Sequence, residues 1–493
     1  MTRKGPPGSV PSGLHLLLAR ADDRQPVLPA GLPEETAQEA PRPEKLPGRA
    51  EVPSLEKPDA NPNDLPAQRW GVVAPEGEEG EALLRALAPL MEHRERQQGA
   101  PVRVYRVPAD MDAKQAVAWR RDVHQDEAVP QEERPRYLLL LGDLHRVSME
   151  LQQVMALGAF VGRLHVATPS GEPDLAGYRA YAEKVLASEG RAAPDEAAEV
   201  LLYCADDGTP ATAQGRWLLV EPCARQVETR WKQRHPALRL RVWGEERVAL
   251  EELLQVGGAA RSGVMLSVSH GLGKPRRGWS SLEQQRARQG ALRLASGELL
   301  TAEELRTTPF LPEGMWFCLA CFGAATPPRS AFHAWLTLLA REGGQKDLSQ
   351  EVLESLPKEG ERPFLAALPQ AALANPRGPL AIIGHGDLAW TYGFTTVGAA
   401  SRGRASRITG ALEVLANGSR AGVALDALMR AYREVNDGLM TEYQERQDAR
   451  LEGRPDPVDP VEHAARWMER NDLRGYVLLG DPAARLCLRS AGI

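Results

Sequence analysis

The chain has 493 residues, of which 43% are hydrophobic and 26% charged, the make-up of a folded protein of two to four domains. Its net charge of −6 gives no electrostatic case for a nucleic-acid or anionic-membrane partner, and neither is expected. Five cysteines (Cys204, Cys223, Cys318, Cys321 and Cys487) are an odd and low count, which argues against a disulfide framework and for a reducing cytoplasm. The longest apolar runs, such as Val200–Cys204 and Leu380–Ile383, are too short to span a bilayer. Leu16–Leu18 is too short for the core of an export signal and is closely followed by Asp22, Asp23 and Arg24.

Residues 1–66 are rich in Pro, Glu and Ala and read as a flexible or loosely packed arm, in which Leu55 and Leu65 are the candidates for docking. From Arg69 onward, strand patterns alternate with helical ones. Trp70–Val73, Val102–Val107, Tyr137–Leu141, Phe160–Val166, Val200–Cys204, Trp217–Val220 and Leu238–Trp243 read as strands. Glu81–Glu95, Lys114–Val123, Tyr178–Ala187 and Val227–Gln233 read as helices. This alternation predicts an α/β fold with mostly parallel sheets. A second α/β unit is expected from residue 247. It holds strands at Val264–Val268, Met315–Leu319 and Leu380–Ile383, and a hairpin over Gly290–Leu300 turning at Ser296-Gly297. Helices are expected at Ala331–Leu339, Phe364–Ala372, Ile408–Leu415 and Ala424–Tyr443, and Tyr476–Leu479 closes the chain before Gly480-Asp481-Pro482. The domains expected are therefore an arm over 1–66, an N-terminal α/β unit over 67–246 and a second unit over 247–493.

Two strand ends carry the chemistry. One reads Val264-Met265-Leu266-Ser267-Val268-Ser269-His270-Gly271, the other Met315-Trp316-Phe317-Cys318-Leu319-Ala320-Cys321. Ligands sit beyond the carboxyl ends of strands in an open parallel sheet, so neighbouring strands would bring His270 and Cys321 together there. A thiol needs a base to become a nucleophile, and imidazole titrates in the right range. Gly271 leaves its N–H free to approach a substrate carbonyl. With the N–H of Cys321 it would form an oxyanion hole. His270 precedes Cys321 by 51 residues, close to the roughly 50 of the caspase pattern, and Ala320-Cys321 matches the core of the caspase signature without its following basic residue.

These elements resemble gingipain-like cysteine peptidases and, more distantly, caspase and CHAT-domain peptidases. The resemblance runs in order over about residues 135–485. It takes in Tyr137–Asp143, Val161–Leu164, His270-Gly271, Ala320-Cys321, Gly378–Gly384 with Trp390, and Val477–Pro482. It implies two stacked α/β lobes, the second caspase-like, and peptide-bond hydrolysis through a thioester with no metal or cofactor. The implied partners are a protein or peptide substrate and an activating partner or ligand, with a role in regulated bacterial proteolysis or defence. His385, Asp387 and Trp390 are the candidate S1 pocket residues. Where gingipains carry an acid for a basic P1 residue, Met155–Phe160 has no carboxylate, and Asp387 is the candidate replacement.

Other readings stand beside this one. Cys318 reads as core, and Cys318–Cys321 as a C-x-x-C lacks the second ligand pair of a zinc site. His385 competes with His270 as base but follows the cysteine. Asp143 and Asp481 read as loop caps, and His145 and His165 as structural. Gly271–Lys274 lacks the upstream glycine of a phosphate loop. Lys274–Arg288 is a basic loop beside the expected site. The third catalytic group is unassigned, with Glu221, Glu245 and Asp387 candidates by location. Two alternatives to an active endopeptidase are an inactive scaffold or partner-binding protein, and a zymogen held off by the arm or the basic loop.

Overall fold

The computed structural model describes residues 13–33, 36, 60–191, 198–244, 248–342, 346–358, 360–395 and 403–488. Its strands begin with β1 (Leu18–Arg20), β2 (Trp70–Pro75), β3 (Arg103–Val107), β4 (Tyr137–Leu141), β5 (Phe160–Leu164), β6 (Glu199–Cys204), β7 (Arg239–Trp243) and β8 (Val264–Val268). There follow β9 (His270–Gly273), β10 (Leu292–Arg293), β11 (Leu299–Leu300), β12 (Met315–Leu319), β13 (Ala325–Thr326), β14 (Phe364–Leu365), β15 (Ala381–His385) and β16 (Tyr476–Gly480).

The fold is α/β, built on one ten-stranded sheet in the order β3-β2-β4-β5-β16-β15-β12-β8-β6-β7. The pairings are parallel except at the centre, where β15 and β16 run antiparallel with Ile382 opposite Leu479. Two five-stranded parallel sets therefore meet at a single seam, with their carboxyl ends on opposite edges. The inner strands are largely apolar because helices cover both faces. Tyr137–Leu141 and Met315–Leu319 are fully buried. Helices Glu78–Gln98 and Leu175–Glu189 pack together over the first set, and Ser406–Ala416, Ala421–Leu451 and Pro460–Arg474 form a second helical layer. Among the described residues no helix is long and apolar enough to cross a membrane.

A buried ion pair ties the first set to the closing strand. Arg94 is fully buried and donates to Asp481 from Nε at 2.9 Å and Nη2 at 2.7 Å, and to Glu189 at 2.8 Å. Asp481 also accepts from Trp70 Nε1 and from the N–H of Ala483, so the expected loop cap is at the same time a cross-sheet anchor.

Four expectations change. The boundary read at 246/247 falls between strands of one set: β6 and β7 lie beside β8, which pairs with β6 from Val200↔Val264 to Cys204↔Val268. The Trp217–Val220 run is helical, part of a continuous coil over 210–234. Its apolar residues Leu219, Val220, Cys223, Ala224, Val227 and Trp231 recur at helical spacing and are buried, which a four-residue window does not reveal. Phe364–Ala372 splits into β14 and the helix Ala367–Ala374.

The fourth change concerns the N-terminal arm. Its residues 13–33 are packed into the molecule, with Leu14, Leu16, Leu17, Leu18, Val27, Leu28 and Leu32 all 2% exposed or less. Composition averaged over 66 residues hid two aliphatic clusters, and each fully buried Leu or Val is worth roughly 1.5–3 kcal/mol. Leu65 is buried at the head of a short helix, Leu65–Gln68, while Leu55 lies outside the described residues.

Candidate functional site

The carboxyl ends of β6, β8, β12 and β15 lie side by side, in register at Cys204↔Val268, Val268↔Leu319 and Cys318↔Gly384. His270 and Cys321 each stand two residues beyond the Val268↔Leu319 pair, so the sheet brings the two predicted side chains to neighbouring strand ends. Their backbones touch. A Cβ on Gly271 would lie 1.8 Å from the Cys321 carbonyl oxygen, so only glycine fits at that position. Just after Cys321, Phe322 holds a left-handed φ of 55°, a strained turn of the kind that collects at functional sites. Its N–H donates to the Asp387 carbonyl at 2.9 Å.

His270 is 1% exposed and Cys321 is fully buried. Burial pushes the Cys321 thiol well above its ordinary range. Burial likewise holds the His270 imidazole neutral, down to about 4, against the opposing pull of Asp207. Cys321 Sγ accepts from the Ala389 N–H at 3.2 Å and lies 3.6 Å from the Ala389 carbonyl. The Leu16 backbone approaches the His270 ring, and Nδ1 is buried with no partner in hydrogen-bond geometry.

The other ring nitrogen finds the group that sequence reasoning missed. His270 Nε2 lies 3.4 Å from Asp207 Oδ2 and 3.1 Å from Thr209 Oγ1. Asp207 stands in the loop leaving β6 and is 2% exposed at its side chain. Its Oδ1 accepts from the Thr209 N–H and from both the Thr209 and Thr212 hydroxyls, and its Oδ2 pairs with Arg293 at 2.6 Å. Burial opposes its ionisation, but His270 and these hydroxyls outweigh that and keep the carboxyl below its usual range. Asp206-Asp207-Gly208 follows a dense apolar strand, as Gly142-Asp143 does, and that was the available signal. Of the earlier candidates for this place, Glu221 lies 3.9 Å from Arg216 in the 210–234 coil, and Glu245 lies outside the described residues.

The expected pocket residues are drawn together by a second missed acid, Asp472. Its carboxylate accepts from the N–H groups of Trp390 and Gly393, each at 2.7 Å, and burial raises it to about 8. His385 Nε2 lies 2.9 Å from the Asp472 carbonyl, and the ring stands edge-on to Tyr476. Asp387 accepts from the N–H of Leu388 at 2.7 Å and of Ala331 at 2.8 Å, and burial raises it to about 6. These bonds tie its carboxylate to the next residue and, across 56 residues, to the start of the segment leading into the helix His333–Glu342. Trp390 is buried edge-on against Phe332 and Trp335. Cys318 is a buried core thiol raised to about 12, and all five cysteines are free.

Residues 16–20 of the chain itself lie across this site. The Leu17 carbonyl oxygen accepts from the Gly271 N–H at 2.7 Å and from the Cys321 N–H at 3.0 Å. The Leu17 N–H donates to the Ala389 carbonyl at 3.3 Å, and Leu16 bridges antiparallel to Trp390. Beyond that point β1 pairs parallel with β9, Leu18 opposite Gly271 and Arg20 opposite Gly273. Chemically, the site offers a thiol, an imidazole backed by a carboxylate, and two N–H donors converging on one carbonyl.

No protein-family model matches the chain, and no curated protein matches it. Among solved structures, a periplasmic sugar-binding protein from Pseudomonas fluorescens is similar over 57% of this chain and 77% of its own, at 14% identity and a TM-score of 0.14. A likeness at that level carries no argument about fold or function.

Proposed function

We propose that this chain is a cysteine endopeptidase of the caspase fold, resembling the gingipain-like enzymes, with the β15-β12-β8-β6-β7 set as its catalytic half. The observation that carries the reading is the convergence of the Gly271 and Cys321 N–H groups on one carbonyl oxygen, at the strand ends that also bear a buried imidazole and its carboxylate. In this reading His270 takes the Cys321 proton at Nδ1, and the Asp207 carboxylate at Nε2 orients the ring and steadies the imidazolium that forms. The thiolate attacks the scissile carbonyl carbon. The two N–H groups hold the developing oxyanion, where losing one such donor costs about 2.7–4 kcal/mol of barrier lowering. His270 returns its proton to the departing amine, and water hydrolyses the thioester. Each charge in this scheme rests on the chain's own groups, so it calls on no cofactor.

The substrate class is protein or peptide, and the setting we propose is regulated cytoplasmic proteolysis. One observation favours the rival reading, an inactive caspase-fold scaffold: Cys321 Sγ is engaged by the Ala389 main chain, while the His270 imidazole is turned to Asp207 and Thr209. Prolonged incubation of the full chain with peptide acyloxymethyl ketones, followed by mass mapping, decides between the two. The expected result is an adduct on Cys321 that disappears in His270→Ala. An adduct forming equally well in His270→Ala would sink the peptidase and leave the scaffold, whereas no adduct with any probe leaves a latent enzyme or the scaffold, which chains with the N-terminal segment displaced tell apart.

A further inference from the structure

Residues 14–20 cross the site as an extended strand clasped on both sides. Upstream, Leu16 and Leu17 are held by Ala389 and Trp390, and downstream β1 is held by β9. A bound peptide is fixed in this way when it adds a strand to an exposed edge, its main chain supplying the bonds and its side chains the specificity. Leu17 stands at the reacting position of that strand, because its carbonyl oxygen receives both converging N–H groups. Its side chain is apolar and fully buried. After Arg20 the chain turns and runs back, with the Arg20 N–H bonded to the Gln25 carbonyl and the Val27 N–H to the Leu18 carbonyl.

The turn is latched by charge. Arg20 pairs with Asp23 at 3.1 Å and with Glu351, and the Arg276 N–H donates to Asp22 while its guanidinium lies 3.8 Å from Asp23. The basic loop singled out in the sequence thus grips the acidic tip of the N-terminal hairpin.

We propose that residues 14–18 are an internal pseudosubstrate with Leu17 in the P1 position. It follows that the cleft takes an extended peptide with an aliphatic P1 residue, and that the chain stays closed to outside substrate until this segment leaves. The inference rests on the peptidase reading and adds to it a substrate class and a mode of control. Asp387, with its carboxylate bonded to the Leu388 and Ala331 N–H groups, supplies no free acid for a basic P1, which agrees with an apolar pocket.

The test compares labelling rates of Cys321 in three full-length chains: wild type, Leu17→Asp, and Arg20→Ala. The probes are acyloxymethyl ketones carrying Leu, Arg or Asp at P1, and thermal unfolding checks that each chain is folded. A buried carboxylate at position 17 should expel the segment and raise the Leu-probe rate by about tenfold or more, as expected when a scarce open state becomes the main one. Arg20→Ala, which loses only the latch, should raise it by about two- to fivefold, and it carries the test if Leu17→Asp does not fold. The Leu probe should outpace the Arg and Asp probes in the opened chains, and a synthetic peptide of residues 13–22 should slow them again. Equal rates in wild type and both variants, or preference for the Arg or Asp probe, would overturn the pseudosubstrate while leaving the peptidase standing. Absence of any Cys321 adduct in all three chains would overturn both.

Discussion

Each half of the sheet ends in a buried histidine beside a buried aspartate, yet only one of these pairs looks like a site. At the exit of β4 and β5, His165 and Asp143 are 3% and 5% exposed. Asp143 accepts from the N–H groups of Leu144 and Leu365, and His165 Nδ1 bonds the Tyr178 hydroxyl. Beside them opens a groove of about 810 Å³ lined by Pro169, Phe364 and Gln370 among others. At the exit of β6 and β8, His270 and Asp207 are as deeply buried, but Cys321 stands at the next strand end and two N–H groups point at one carbonyl. A buried carboxylate–imidazole pair is therefore no signature of chemistry. The neighbouring thiol and the converging donors are what distinguish the second edge, and they lie where the surface is closed.

The comparison can be broken or sharpened by experiment. The largest contrast is expected between Asp207→Asn and Asp143→Asn. The first should slow Cys321 labelling by about 10²- to 10⁴-fold, because an amide no longer steadies the imidazolium. The second should leave the labelling rate unchanged. Equal effects would mean that the two pairs do the same work.

A third strand-exit carboxylate, Asp481, serves as the purely structural reference. Asp481→Ala leaves the buried Arg94 paired with Glu189 alone and should cost about 1.5–3 kcal/mol in urea unfolding, with the Cys321 site untouched in the folded fraction. A loss below about 1 kcal/mol would show that Arg94 finds other compensation.

Smaller still is the pH dependence. His124, His165, His270 and His385 are held neutral by burial, each down to about 4. Unfolding lets them take up protons below about pH 6.5, so each costs stability as pH falls from 6.5 to 4. Asp387 and Asp472 act in the opposite sense. They keep their protons in the folded chain up to about 6 and about 8, so they add stability as pH falls through those values toward 4. Four histidines outweigh two acids below pH 6, while between 8 and 6.5 Asp472 is opposed by the buried Lys184, whose ammonium burial pushes well below its usual range. Stability should therefore fall on the acid side of pH 6.5, each net proton being worth about 1.4 kcal/mol per pH unit. Denaturant unfolding from pH 4.5 to 8 would show it, and stability that holds or rises as the pH drops from 6.5 to 4.5 would contradict the neutral buried histidines. The smallest effect is the stability cost of Asp143→Asn, about 1 kcal/mol, since an amide oxygen still accepts from Leu144 and Leu365.

Much of the framework was legible in the chain itself. Runs such as Tyr137–Leu141 and Met315–Leu319 are apolar at every position, and Val264–Val268 at all but Ser267, so they read as strands covered on both faces, and they are. His270 and Cys321 were legible because each follows such a run directly, so that strand geometry delivers it to an edge. The hairpin turning at Ser296-Gly297 was legible from turn chemistry, and Gly297 adopts the left-handed φ of 86° that glycine allows.

Only the tertiary structure decided the rest, and the reason is distance along the chain. The pairing of β6 with β8 and of β16 with both β5 and β15 joins segments that no local pattern relates. Asp207 became the partner of His270 through that pairing, from 63 residues upstream in a loop that reads like any other strand exit. Asp472 came to hold the Trp390 loop from the helix Pro460–Arg474, 82 residues further along the chain. The N-terminal segment was hidden most completely. Local composition weighs a stretch only against its own neighbours, whereas the buried surface that fixes Leu14–Leu18 is supplied by β9, Trp390 and the core more than 250 residues away.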